Sequence, residues 1–189
     1  MKAIFLSASV PRKGRGHYYE TADPFLIQCA VREFVIAAIK TYKIVWGGHP
    51  AITPMIWAIC EDLGIDYSQS VILYQSKYFE DRYPEENEHF KNVIFTEAGN
   101  DEGESLLIMR KEMLSRSDLI SAVFIGGMEG IEAEFVLFTQ FHPHVEVLIL
   151  PAAGGAALDL AKRTGVEGCA LIDIDFAQQI VSHLGRIAE

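Results

Sequence analysis

A single α/β domain over residues 1–189, with a mainly parallel sheet and helices on both faces, is the fold class this sequence predicts. Three observations predict it. Short apolar runs alternate with longer stretches of helical periodicity. Glycine pairs follow several of those runs, at Gly47-Gly48, Gly126-Gly127 and Gly154-Gly155. Half of the 189 residues are hydrophobic, and a chain of that length can bury a sizeable core. Strand–glycine–helix units of this kind build Rossmann-like sheets, which take ligands at the C-terminal ends of their strands.

The elements follow in order. Residues 2–8 read as a strand, with the turn Ser9-Val10-Pro11 after it. Arg12, Lys13, Arg15 and His17 then form a basic cluster between glycines, in a protein whose formal net charge is −10. At a strand end this loop fits either a cover over a phosphate or an ordinary solvated loop. Asp23-Pro24 is a helix start, an N-cap acid followed by proline at the first helical position. Phe25, Ile27, Ala30, Phe34 and Ile39 carry that helix to about Lys40, with Arg32 and Glu33 facing solvent.

Lys43 to Trp46 is the second strand and runs into Gly47-Gly48-His49-Pro50. The helix after it ends at Gly64, and its first amides, with the glycines, form a phosphate-binding arrangement. His49 fits a ligand contact or a plain loop residue. Ser70 to Gln75 is a third strand. Residues 76–92 turn polar and aromatic, with Tyr78, Phe79 and Tyr83, and fit a cover over a ligand base or a surface connection. Val93 to Thr96 is a fourth strand, and a helix runs from about Glu104.

The chain is organised around residues 109–138. Met109, Met113 and Leu114 repeat at helical spacing, and Ile120 to Ile125 form a buried strand. Gly126, Gly127 and Gly130 follow where the backbone must turn sharply or approach a ligand. Glu132 and Glu134 fall in the first turns of the next helix, an apolar stretch to Phe141. Val145 to Leu150 is a further strand, and Gly154-Gly155 open a helix through about Lys162. Ala170 to Ile174 read as a last short strand and Phe176 to Ile187 as a closing helix. No fixed period links these segments, so no internal repeat is assigned.

Composition excludes several classes. The acidic balance argues against non-specific binding to nucleic acid. No apolar run approaches the roughly 20 residues of a membrane helix. The start, MKAIFLSAS, reads as a strand rather than a signal peptide. Cys29, Cys60 and Cys169 lack C-x-x-C spacing and read as buried small hydrophobes in a reducing, cytoplasmic compartment. Neither a metal nor a cofactor is expected. Asp173 and Asp175 give no complete ligand set, and His142, His144 and His183 form no i,i+4 pair around an acid. G-x-S-x-G is absent, so a serine hydrolase is unsupported.

The central stretch resembles the Lonely Guy phosphoribohydrolases of the SLOG superfamily. Their signature is an Arg-Lys pair late in a helix, a strand, and then P-G-G-x-G-T-x-x-E. Arg110, Lys111 and Met113 match the helix, while Gly126-Gly127 and Gly130-Ile131-Glu132-Ala133-Glu134 match the turn and its glutamate. Ile125 stands in place of the proline, one residue is inserted between the glycines, and Ile131 replaces the threonine. Gly47 and Gly48 match the family's triple-glycine loop, which His49 leaves incomplete.

The resemblance implies a nucleotide N-glycosidase that cleaves a nucleoside 5′-monophosphate into base and ribose phosphate. Its catalytic residues are then Glu134, facing the oxocarbenium-like sugar, and Arg110, holding the phosphate or assisting the leaving base. Glu132 lies about 200° from Glu134 around the helix and faces elsewhere. Ser7, Ser9, Gly47, Gly48, Lys111, Gly126, Gly127 and Gly130 are the expected ligand-binding residues, with the phosphate between the two glycine turns. Taken alone, Glu134 and Arg110 also fit an ordinary helix-start acid and its ion-pair partner. The alternative function is a non-catalytic sensor of a nucleotide-derived signal, as in other SLOG branches, some in anti-phage defence, acting with an effector partner. Family members are commonly homodimers, so a homo-oligomer is expected.

Overall fold

The computed structural model describes residues 1–64 and 67–188; residues 65, 66 and 189 of the predicted domain lie outside the described residues. Among the described residues six strands form one sheet: β1 (Ala3–Ser9), β2 (Lys43–Trp46), β3 (Val71–Ser76), β4 (Asn92–Thr96), β5 (Leu119–Gly126) and β6 (Val147–Leu150). Their spatial order is β4-β3-β2-β1-β5-β6, and every pairing is parallel, beyond the mainly parallel sheet expected. Six α-helices accompany them among the described residues: α1 (Pro24–Ala38), α2 (Thr53–Asp62), α3 (Glu102–Leu114), α4 (Glu129–Phe141), α5 (Gly155–Arg163) and α6 (Phe176–Ala188).

Alternation along each strand builds two cores. Ile4, Leu6, Ile44, Leu73 and Val123 face one side, where Val31 and Phe34 of α1, Ile56 of α2 and Ile180 of α6 cover them. Ala3, Phe5, Val45, Tyr74 and Phe124 face the other, under Met113 of α3, Phe138 of α4 and Leu160 of α5. The central strands are therefore sealed on both faces. Their near-continuous apolar sequence is the consequence.

Local signals set most boundaries. Asp23 caps α1 by accepting from the amides of Phe25 and Leu26, with Pro24 opening the helix. Asp101 accepts from the Glu104 amide at 2.8 Å, so α3 begins at Glu102, two residues before the expected start. α4 likewise starts at Glu129, which places Gly130 inside its first turn.

Residues 170–174 are not a strand. Gly168–Leu171 is a 3₁₀ turn, and Ile172 and Ile174 are exposed. Side chains take the backbone groups that a sheet neighbour would need. Asp173 accepts from the Asp175 amide at 2.9 Å, and Gln179 Nε2 donates to the Asp173 carbonyl. Asp175 then accepts from the Gln178 amide at 3.0 Å and so caps α6. Cys169 shares this turn and is exposed, against the expectation of a buried thiol, while Cys60 is buried. Among the described residues no helix is long and apolar enough to cross a membrane.

Candidate functional site

β1 lies between β2 and β5, so the chain leaves it toward one side of the sheet and returns on the other. Loops at such a switch point part and leave a crevice at the strand tips. A cavity of about 910 Å³ opens there, lined from β1, β2, β3, α3 and α4.

Its polar centre is built from three elements. Ser7 continues the face of β1 that carries Ala3 and Phe5, and so points toward α4. Ser7 Oγ donates to Glu134 Oε2 at 2.5 Å, and Arg110 Nε donates to Glu134 Oε1 at 3.1 Å. The Glu134 and Arg110 side chains are only 15% and 17% exposed, so the pair is held away from bulk water. Gly130, one turn earlier on α4, makes room for the arginine. A Cβ there would stand 2.9 Å from Arg110 Nη2. Glu132 faces away and pairs with Arg163 at 3.0 Å.

The two glycine turns differ in use. Gly47 and Gly48 line the cavity, as do Ser7, Ser9 and Gly130. Gly48 has φ +69°, and a Cβ on it would lie 1.9 Å from Gln75 Nε2, so its missing side chain seats the Gln75 amide. Gly126, Gly127 and Lys111 stand outside the lining. The Gly127 amide donates to the Ser9 carbonyl at 2.8 Å, and its carbonyl accepts from Ala156 at 2.9 Å. That turn ties the tips of β1 and β5 to α5. Lys111 is exposed, one residue and thus about 100° round α3 from Arg110. The backbone nearest the cavity on this side is instead the start of α4, Met128 to Gly130, which no side chain caps.

A second layer comes from loops. Arg12 and Arg15 of the basic cluster line the cavity, and Arg15 ion-pairs with Glu129 at the start of α4. His17 bonds to Asp159 of α5 at 2.8 Å, so the loop is tied to two helices. His49 lines the cavity too. Burial, reinforced by the Arg12 charge, lowers its pKa from 6.5 to about 4, so the ring is neutral near pH 7. Its Nδ1 accepts from the Ala51 amide at 3.2 Å, which leaves the proton on Nε2 as a donor. Phe79, Arg82 and Tyr83 wall the far side, with the Arg82 guanidinium 5.2 Å from the Phe79 ring centre.

A family model described as the SLOG cluster3 family matches residues 17–184, a span that holds Arg110, the glycine turns and Glu134. The chain belongs to that family. A solved structure titled as the X-ray structure of TM1055, a structural-genomics target, aligns over 97% of this chain and 99% of its own. Its TM-score is 0.56 at 14% identity, a likeness of fold alone. No curated protein matches the chain.

This SLOG chain brings together residues far apart in sequence, some without an obvious motif. Trp46, Gln75, Arg82 and Glu129 line the site and were not singled out by pattern. Gln75 carried a faint signal, a polar residue closing an apolar strand at its C-terminal tip. At the other end of β5, Ser121 Oγ lies 2.6 Å from His183 Nε2, and His183 Nδ1 lies 3.3 Å from Glu146 Oε1. Ser121 and His183 are fully buried, and Ser121 Oγ donates to the Glu146 carbonyl, so this serine–histidine–glutamate set fastens α6 to the sheet. Among the described residues no group of three or more His, Cys, Asp or Glu is placed to hold a metal ion.

Proposed function

We propose that the cavity binds a nucleotide and that Glu134, with Arg110, cleaves its N-glycosidic bond. One observation carries the reading: a carboxylate in a cavity at the strand tips, held on one oxygen by Ser7 and on the other by Arg110. As the bond between C1′ and the base nitrogen breaks, positive charge grows on the sugar, and a fixed carboxylate stabilises it there. Water then bonds to C1′, and its proton goes to the departing base nitrogen, giving free base and ribose phosphate. Arg110 neutralises the carboxylate in the resting site and is available to the phosphate or the leaving base. Arg12, the α4 amides and His49 Nε2–H supply further donors for the phosphate. The test is incubation with a panel of nucleoside 5′-monophosphates, with chromatography for released base. Base release from at least one member is expected.

A second reading, a nucleotide sensor acting with an effector protein, has its own support. Both Glu134 oxygens are already engaged, and Ile125 and Ile131 replace the proline and threonine of the hydrolase signature. Tight nucleotide binding without base release from any panel member decides for the sensor. A homo-oligomer belongs to either reading, since Val136 and Phe141 of α4 are exposed apolar side chains. Sedimentation at two concentrations tests it.

A further inference from the structure

We infer that Gln75 selects the base, accepting a hydrogen bond from an exocyclic amino group on the ligand's far edge. The inference rests on the nucleotide reading above. The amide's orientation is fixed by its neighbours rather than by choice of flip. Gln75 Nε2 donates to the Gly47 carbonyl at 3.2 Å and to the Tyr74 carbonyl at 2.9 Å. Two acceptors demand the NH₂ group, so Oε1 points the other way. The NH₂ packs against Gly48, in the space that a Cβ there would take, and its two hydrogen bonds hold it in place.

Gln75 is 7% exposed and lines the cavity. No described residue donates to Oε1, yet this oxygen is not among the polar atoms sealed without a partner. It is therefore a preorganised acceptor open to the cavity. Gln75 is the penultimate residue of β3, two strands across from β1, and alternation puts it on the Leu73 face of the sheet, whereas Ser7 holds Glu134 on the Phe5 face. At about 4.8 Å per strand the two backbones stand roughly 10 Å apart. Because Ser7, Glu134 and Gln75 all line the one cavity over the strand tips, a nucleotide lying across those tips spans from one to the other. Trp46 and Phe79 supply the aromatic surface on this side. A purine carrying an amino group there completes Oε1. One carrying a carbonyl sets two acceptors against each other, and one carrying hydrogen leaves the buried oxygen unpaired.

The experiment measures calorimetric binding of three base probes to the whole protein, AMP, IMP, and purine riboside 5′-monophosphate, which lacks the amino group, with 2′-deoxy-AMP as a sugar control. The expected result is AMP binding at least about tenfold tighter than either analogue, one buried hydrogen bond's worth and the penalty of leaving it unmade. Gln75→Met should bind all three within about twofold of one another, which a purely structural loss at this position would not produce. The wild-type comparison stands even if that variant fails to fold. Equal wild-type affinities overturn the assignment and leave the nucleotide reading intact, as does a Gln75→Met protein that keeps the AMP preference. Loss of affinity for 2′-deoxy-AMP with no discrimination among the bases assigns Oε1 to the ribose and overturns the base role. No binding of any probe overturns the nucleotide reading and this proposal with it.

Discussion

Ser7 and Glu134 are 127 positions apart, and a single 2.5 Å hydrogen bond joins the tip of β1 to the second turn of α4. The contact exists because β1 pairs with β5 along its whole length, and α4 leaves the tip of β5. Removing the donor in Ser7→Ala leaves a half-buried carboxylate oxygen short of a partner. Bonds to charged groups contribute about 1.5–3 kcal/mol, so thermal or urea unfolding should register a loss of that order. Wild-type stability in Ser7→Ala would contradict the geometry.

Glu134→Gln separates chemistry from binding. Glutamine keeps the volume and its one oxygen can still accept from Ser7, while its NH₂ then faces Arg110, so some stability should be lost but nucleotide affinity should largely survive. Turnover should fall by roughly 10²–10⁴, the usual cost of losing a positioned acid–base group. Side-by-side rates and affinities check this, and a variant as fast as wild type would move the site elsewhere.

Arg110→Ala should behave differently. It leaves Glu134 without its buried counter-charge and removes a cation from the phosphate's surroundings, so affinity and turnover should both fall. A tenfold or greater rise in Kd for a nucleoside monophosphate, with no such rise for the free nucleoside, is the expected signature.

Gly127 and Gly165 make a controlled pair. Both have positive φ, at +75° and +87°. A Cβ on Gly127 would lie 2.2 Å from Ile131 Cδ1, whereas on Gly165 it meets nothing within 4 Å. Gly165→Ala should cost only the backbone term of about 1–2 kcal/mol. Gly127→Ala should add overpacking of about 1–3 kcal/mol, read as a larger fall in denaturation midpoint. Because Gly127 stands outside the cavity lining, the folded fraction should keep its nucleotide affinity.

His49 gives the fold a pH slope. Its folded pKa of about 4 lies below the ordinary 6.5, so between those values the unfolded chain binds the extra proton. The stabilisation is full above pH 6.5 and is lost as the pH falls toward about 4. Burial lowers the pKa of His183 as well, in the same direction. His49→Gln should therefore flatten, without abolishing, the decline in melting temperature between pH 7 and pH 4.5. An unchanged slope would mean that the ring is not held neutral.

The order of elements was legible because each carried a local cause. Asp23-Pro24 starts a helix wherever it sits, and the apolar runs of β1 and β5 have no stable place outside a sheet covered on both faces. Arg110 and Glu134 stand out as candidates through their resemblance to a known signature, and helical periodicity alone turns Glu132 away from them. The segment 170–174 misled, because its alternating isoleucines imitate a strand. Asp173 and Asp175 commit their own side chains to the local backbone instead.

The sequence by itself determined the α/β class, the strand–glycine–helix units and the candidates Arg110 and Glu134, since these depend on neighbours within a few residues. Only the tertiary structure decided which glycine turn faces the cavity and which is spent on packing. The two pairs look alike in sequence, but Gly48 meets Gln75 while Gly127 meets Ile131, Ser9 and Ala156. It alone also joined Ser7 to Glu134 and oriented the Gln75 amide. The physical reason is that strand order sets which tips stand side by side, and hydrogen bonds between distant residues form only once those tips are about 5 Å apart.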